Sequence, residues 1–129
     1  MITVTCAIIE DDSRVLCAQR SELMPLPLKW EFPGGKVEAD EEPEECLIRE
    51  IREELGISIS IIERLVSSKH TYPGQKTFEL VPFRCRLAGG ELDVKEHKQV
   101  KWLKKTELKE LDWAEADIPV LNNYLSNYK

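Results

Sequence analysis

Apolar residues along the chain fall into two periods. Residues 2–9 are rich in Thr, Val and Ile, Glu10, Asp11, Asp12 and Ser13 supply turn chemistry, and residues 15–20 resume an extended pattern, which together predict a hairpin. In residues 21–33, Pro25, Pro27 and Pro33 deny helix while Trp30 and Phe32 place aromatic surface in a loop, the mark of a binding element more than of a passive connector. The period then changes. Pro43 suits a first helical turn, Glu44 and Glu45 suit its positive end, and Gly56 suits the left-handed position past its last residue, so a helix is predicted over 43–55 with Leu47, Ile48, Ile51 and Leu55 as its apolar stripe. Strands are predicted over 57–66 and 77–87, with 67–72 extending or following the first of them and Pro73-Gly74 as the turn between them. In the second, Val81, Phe83, Cys85 and Leu87 alternate with Pro82, Arg84 and Arg86, and Pro82 suggests a bulge or an edge. Gly89-Gly90 predicts a tight reversal into residues 91–94, followed by a short strand over 99–103 and a helical turn from Thr106 to Leu111. Ile118, Leu121, Leu125 and Tyr128 predict an amphipathic helix over 117–128. A length of 129 residues suits a single domain over 1–129.

Composition narrows the function classes. With 42% hydrophobic and 33% charged residues the chain is built to fold, and no apolar run approaches the roughly 20 residues of a spanning helix, so no membrane association is expected. A net charge of -6 argues against binding a nucleic-acid polymer through its backbone, and points to bound cations if phosphates are handled. Cys6, Cys17, Cys46 and Cys85 lack metal spacing and read as small buried hydrophobes, which with no signal-like N-terminus makes the cytoplasm the expected location.

On the predicted helix Glu50, Glu53 and Glu54 share an arc of about 100°. Like charges so placed repel. A solvated acidic face with Arg49 and Arg52 as counter-ions is one reading; oxygen ligands for Mg²⁺ or Mn²⁺, suited to phosphoanhydride hydrolysis, are the other.

The wider spacing decides between them. Gly35, Glu41, Arg49-Glu50-Ile51, Glu53-Glu54 and Gly56-Ile57 resemble the Nudix box at nine specified positions over 23 residues. That resemblance implies hydrolysis of a nucleoside diphosphate linked to another group, on an α/β/α sandwich around a mixed central sheet. It implies Glu53 and Glu54 as main metal ligands, Glu50 as a further ligand or the base, the Gly35 carbonyl as a ligand, and Arg49 as a brace, chiefly of Glu41.

Flanking segments resemble the MutT-like branch, closest to the CTP pyrophosphohydrolases: Ala18-Gln19-Arg20, residues 30–38, residues 96–102, and Ala116-Asp117-Ile118-Pro119. By that resemblance Glu96 joins the metal site or acts as base, Arg20 meets phosphates, and Lys36 joins the substrate residues. Glu31 and Asp117 face the base, and Phe32, Tyr72 and Phe78 supply apolar walls. His70 and His97 read as surface or hydrogen-bonded residues. Asp117 stands where the MutT pattern has asparagine; an ionised aspartate only accepts hydrogen bonds, which favours a base with an exocyclic amino group unless its pKa is raised. The implied enzyme is a Mg²⁺-dependent (alternatively Mn²⁺-dependent) nucleoside triphosphate pyrophosphohydrolase preferring CTP, dCTP or modified pyrimidines. An 8-oxo-dGTP diphosphatase and a non-catalytic regulatory Nudix domain are the alternatives. A monomer is expected, with a dimer as the alternative.

Overall fold

The computed structural model describes residues 1–128. Eight strands form one mixed sheet: β1 (Ile2–Asp11), β2 (Arg14–Gln19), β3 (Trp30–Glu31), β4 (Gly34–Lys36), β5 (Ile57–Arg64), β6 (Ser68–His70), β7 (Phe78–Gly90) and β8 (Gln99–Lys104). Helix α1 (Pro43–Leu55) lies after β4 and helix α2 (Ile118–Asn127) closes the described chain. The main path runs β3-β2-β1-β7-β5, with β4 on β1, β6 on β7 and β8 on β2. Strands β1 and β7 pair in parallel from Ile2↔Phe78 to Glu10↔Arg86; all other pairs between named strands are antiparallel.

Strand alternation divides the interior into two layers. Cys6 and Ile8 of β1, Val15 and Cys17 of β2, and Leu80 join Trp113, Leu121 and Tyr124 on the α2 side. The intervening Ala7, Ile9, Leu16, Val81, Phe83 and Cys85 join Leu47, Ile51 and Leu55 on the α1 side. This is the expected α/β/α arrangement, and all four cysteines are buried and free. Ile48 of the predicted stripe is 40% exposed, whereas Glu54 is buried with the apolar residues. Helix α1 begins with the Glu42 N–H donating to Glu45 Oε1 at 3.0 Å and ends at Gly56, whose φ is 71°.

Three local expectations are corrected. Trp30 and Phe32 are core residues, with the Phe32 and Trp113 rings 4.7 Å apart, because β3 pairs with β2 and carries them inward. Pro82 stands in an interior strand; its side facing β5 and β6 lies where their pairing with β7 is interrupted, so its missing N–H removes no ladder bond there. Gly89 and Gly90 extend β7 instead of starting a hairpin, and the Asp93 N–H donates to the Leu55 carbonyl at 2.8 Å, tying the following segment to the end of α1.

One topological feature positions the site. β2 pairs with β8 along its whole length but with β1 only at Glu10↔Val15 and Asp11↔Arg14; beyond these the two strands part, β3 pairing with β2 at Ala18 and Gln19 and β4 with β1 at Val4–Cys6. The sheet therefore forks.

Candidate active site

A cavity of about 690 Å³ opens at the fork. Thr5, Cys6, Gly34 and Gly35 line its base, Glu50, Glu54 and Glu96 one wall, and Arg20, Glu31, Phe32, Tyr72, Phe78 and Asp117 the other.

Helix α1 sets the acidic wall. The Glu54 carboxyl is buried, its Oε2 has no hydrogen-bond partner among the described residues, and burial followed by the charges of Glu50, Glu31 and Glu96 pushes it up to about 9. Lys95 donates its N–H to the Glu54 carbonyl at 3.2 Å, which brings the segment carrying Glu96 onto the helix end. Arg49 sits behind this wall: its Nε and Nη2 donate to Glu41 at 2.7 and 2.9 Å, and its Nη1 to Glu50 Oε1 at 2.8 Å. The two Arg49–Glu41 bonds, with the Glu38 N–H donating to Glu41 Oε1, hold the Glu41 carboxyl down at about 2. Strand β4 must pass close to α1, and a Cβ on Gly35 would lie 2.3 Å from Glu50 Cδ. The Gly35 carbonyl accepts from Thr5 Oγ1 at 3.1 Å.

This wall fits a divalent cation. A buried carboxylate with an unpartnered oxygen, surrounded by further carboxylates and an adjacent carbonyl, is an oxygen donor set whose repulsion a cation removes. Among the described residues no three carboxylates already converge at ligand distances.

The opposite wall is polar and hydrogen-bonded. Asp117 Oδ2 accepts from the Phe32 N–H at 2.9 Å, and burial, then the Glu31 charge, pushes its carboxyl up to about 8. Glu31 is held from both oxygens, by Arg20 Nη1 at 2.8 Å and His97 Nε2 at 2.8 Å. Tyr72 accepts the Ala116 N–H at 2.9 Å and stacks beside Phe78 with centroids 6.1 Å apart.

Ten of the thirteen residues expected from sequence thus line the cavity. Glu53, with its side chain 60% exposed, turns toward Arg49 at 3.3 Å and lies outside the cavity lining. Arg49 lies behind the wall, and Lys36 lines a separate shallow cavity with Met1, Ile2 and Lys76. Arg20 stands on the Glu31 side, its Nε donating to the Pro25 carbonyl at 2.6 Å. Sequence reasoning missed Met24, Pro25 and Leu26, which border the cavity, and the burial of His97, whose adjacency to Glu96 was the available signal.

A carboxylate-bearing helix faces a polar cleft across the forked mixed sheet, and the chain belongs to the Nudix family, whose NUDIX domain matches residues 1–124. It is 37% identical over 126 residues to the CTP pyrophosphohydrolase of Escherichia coli K12, covering 98% of this chain and 93% of that one. It is 29% identical over 114 residues to the 8-oxo-dGTP diphosphatase of the same organism, covering 86% and 85%. Among solved structures, the E. coli ORF135 protein matches with a TM-score of 0.85 at 37% identity, over 98% of this chain and 89% of that one. A MutT protein of the Nudix family from methicillin-resistant Staphylococcus aureus 252 matches with a TM-score of 0.77 at 44% identity, over 97% and 95%. The chain is a Nudix hydrolase.

Proposed function

We propose that the chain is a Mg²⁺-dependent nucleoside triphosphate pyrophosphohydrolase, converting an NTP or dNTP and water to a nucleoside monophosphate and pyrophosphate. The observation that carries this reading is the buried Glu54 carboxyl group, whose Oε2 has no hydrogen-bond partner among the described residues, beside Glu50 and Glu96 in a cavity whose other wall is made of hydrogen-bonding groups and aromatics. A cation bound by Glu50, Glu53, Glu54, Glu96 and the Gly35 carbonyl supplies neutralisation of the phosphates and a lowered pKa for water. Of these, Glu53 would have to turn away from Arg49 to reach the cavity. Arg49, behind the wall, orients Glu50 in the cavity and Glu41 ahead of the helix. Glu50 or Glu96 takes the proton from the attacking water.

Base selection belongs to Glu31, Asp117, Phe32, Tyr72 and Phe78. The acceptor-only premise for Asp117 changes with its surroundings: a carboxyl at about 8 is largely neutral at pH 7, so the oxygen left free by the Phe32 N–H can donate. The preference for cytidine or modified pyrimidine triphosphates therefore rests on Glu31 as acceptor and on the similarity to the E. coli CTP pyrophosphohydrolase over nearly the whole chain. A second reading, 8-oxo-dGTP hydrolysis, gains from the same neutral Asp117, which can donate and accept as an asparagine does.

The test is kcat/KM across CTP, dCTP, 5-hydroxy-dCTP, 8-oxo-dGTP, 2-hydroxy-dATP and the ordinary triphosphates. A cytidine-type substrate at the top is expected. A preference of about 100-fold for 8-oxo-dGTP, about 2.7 kcal/mol, would put the second reading first.

A further inference from the structure

We infer that His97 is a positioning residue for nucleobase selection, acting by fixing the carboxylate of Glu31 in the cavity wall. The inference rests on the reading of Glu31 as a base-facing residue.

The His97 side chain is 1% exposed, and its Nε2 lies 2.8 Å from Glu31 Oε2. Since a carboxylate accepts, the ring donates from Nε2. Its Nδ1 is buried with no partner among the described residues, where Glu31 is the ring's one hydrogen-bond partner. A position that needed only volume would be served by leucine without leaving an unpaired nitrogen inside, so the contact with Glu31 is what the imidazole contributes.

The backbone leaves the ring little freedom. The Lys98 N–H donates to the Gln19 carbonyl at 2.9 Å, fixing the segment to the end of β2, and the Lys95 N–H donates to the Glu54 carbonyl at 3.2 Å. His97 is therefore anchored on both sides before it meets Glu31. Arg20 Nη1 takes the other oxygen, Oε1, at 2.8 Å. A carboxylate offers about four lone-pair sites, and with one bond on each oxygen the group is held in one plane while acceptor capacity remains for a ligand in the cavity it lines. Arg20 alone would pin one oxygen and leave the plane free to rotate. An acceptor of fixed direction separates a base presenting an amino group from one presenting a carbonyl; a rotating one does so poorly.

Steady-state kinetics on the full chain test this through two ratios of kcat/KM, CTP to UTP and 8-oxo-dGTP to dGTP. The larger ratio should fall by about 10-fold or more in His97→Leu, with the change mainly in KM. His97→Gln, whose amide nitrogen can take the place of Nε2, should restore it. In a Glu31→Gln background, His97→Leu should lower the ratio no further, because the histidine acts through that carboxylate. His97→Asn, whose shorter amide falls short of Glu31, replaces the leucine variant if that one does not fold. Equal loss of turnover on all triphosphates with unchanged ratios, or additive effects of His97 and Glu31, would overturn the inference while leaving the proposed reaction standing. A wild-type protein that turns over no triphosphate would overturn both.

Discussion

Arg49 grips Glu41 with two hydrogen bonds, Nε to Oε2 at 2.7 Å and Nη2 to Oε1 at 2.9 Å, while its Nη1 reaches Glu50 at 2.8 Å. One side chain on α1 thus fixes both a carboxylate ahead of the helix and one inside the candidate site. Lysine keeps the charge and loses the fork, so Arg49→Lys should lower kcat/KM by about 10–100-fold, the cost typical of removing a group that orients a metal ligand. Thermal melting should barely move, because the lost bonds are peripheral to both core layers.

Glu54 is costly to the protein without a cation. Its carboxyl is raised to about 9, first by burial and then by Glu50, Glu31 and Glu96. A raised carboxyl contributes fully below its unfolded pKa, and that contribution is lost as pH rises through the folded value. With chelator present, Tm should therefore fall between pH 5 and pH 9, and added Mg²⁺ should recover it at the upper end. Glu54→Gln should flatten the profile and raise Tm at pH 9 by several degrees, while turnover falls by at least about 100-fold.

Asp117 titrates with the same sign. Burial and Glu31 raise it to about 8, so it too lowers stability as pH rises from about 4 to 8. Asparagine can still accept the Phe32 N–H. Asp117→Asn should therefore be more stable than wild type at pH 9. Its ratio of CTP to 8-oxo-dGTP hydrolysis should be flat between pH 6 and 9, where the wild-type ratio changes with the loss of the Asp117 proton; a pH series of kcat/KM for both proteins checks this.

Much of this was legible in the residues. Pro43 and Gly56 marked the ends of α1, with Gly56 in the left-handed conformation, and the alternation through Val81, Phe83 and Cys85 marked the buried face of β7. What escaped depends on contacts distant in sequence. Trp30 and Phe32 looked like loop surface because only the pairing of β3 with β2 and the packing on Trp113 bury them. The pKa of Asp117, on which the choice of base turned, follows from a burial that no local pattern reports. Glu53 and Glu54 are equivalent in the motif, yet the helix turns one to Arg49 and buries the other.

The two glycines of β4 should fail in different ways. A Cβ at Gly34 would lie 2.0 Å from the Thr5 carbonyl oxygen, a backbone atom of the adjoining strand, whereas one at Gly35 meets the movable end of Glu50 at 2.3 Å. Gly34→Ala should therefore destabilise the fold by about 1–3 kcal/mol or more, read by denaturant unfolding. Gly35→Ala should keep most of its stability and lose activity, since Glu50 must swing out of place.

The reaction itself is tested by ³¹P NMR of the products from CTP with the wild-type protein and Mg²⁺. Nucleoside monophosphate and pyrophosphate are expected, with both signals lost in chelator and reduced by at least about 100-fold in Glu54→Gln. Nucleoside diphosphate and orthophosphate as products, or undiminished pyrophosphate release by Glu54→Gln, would contradict the account.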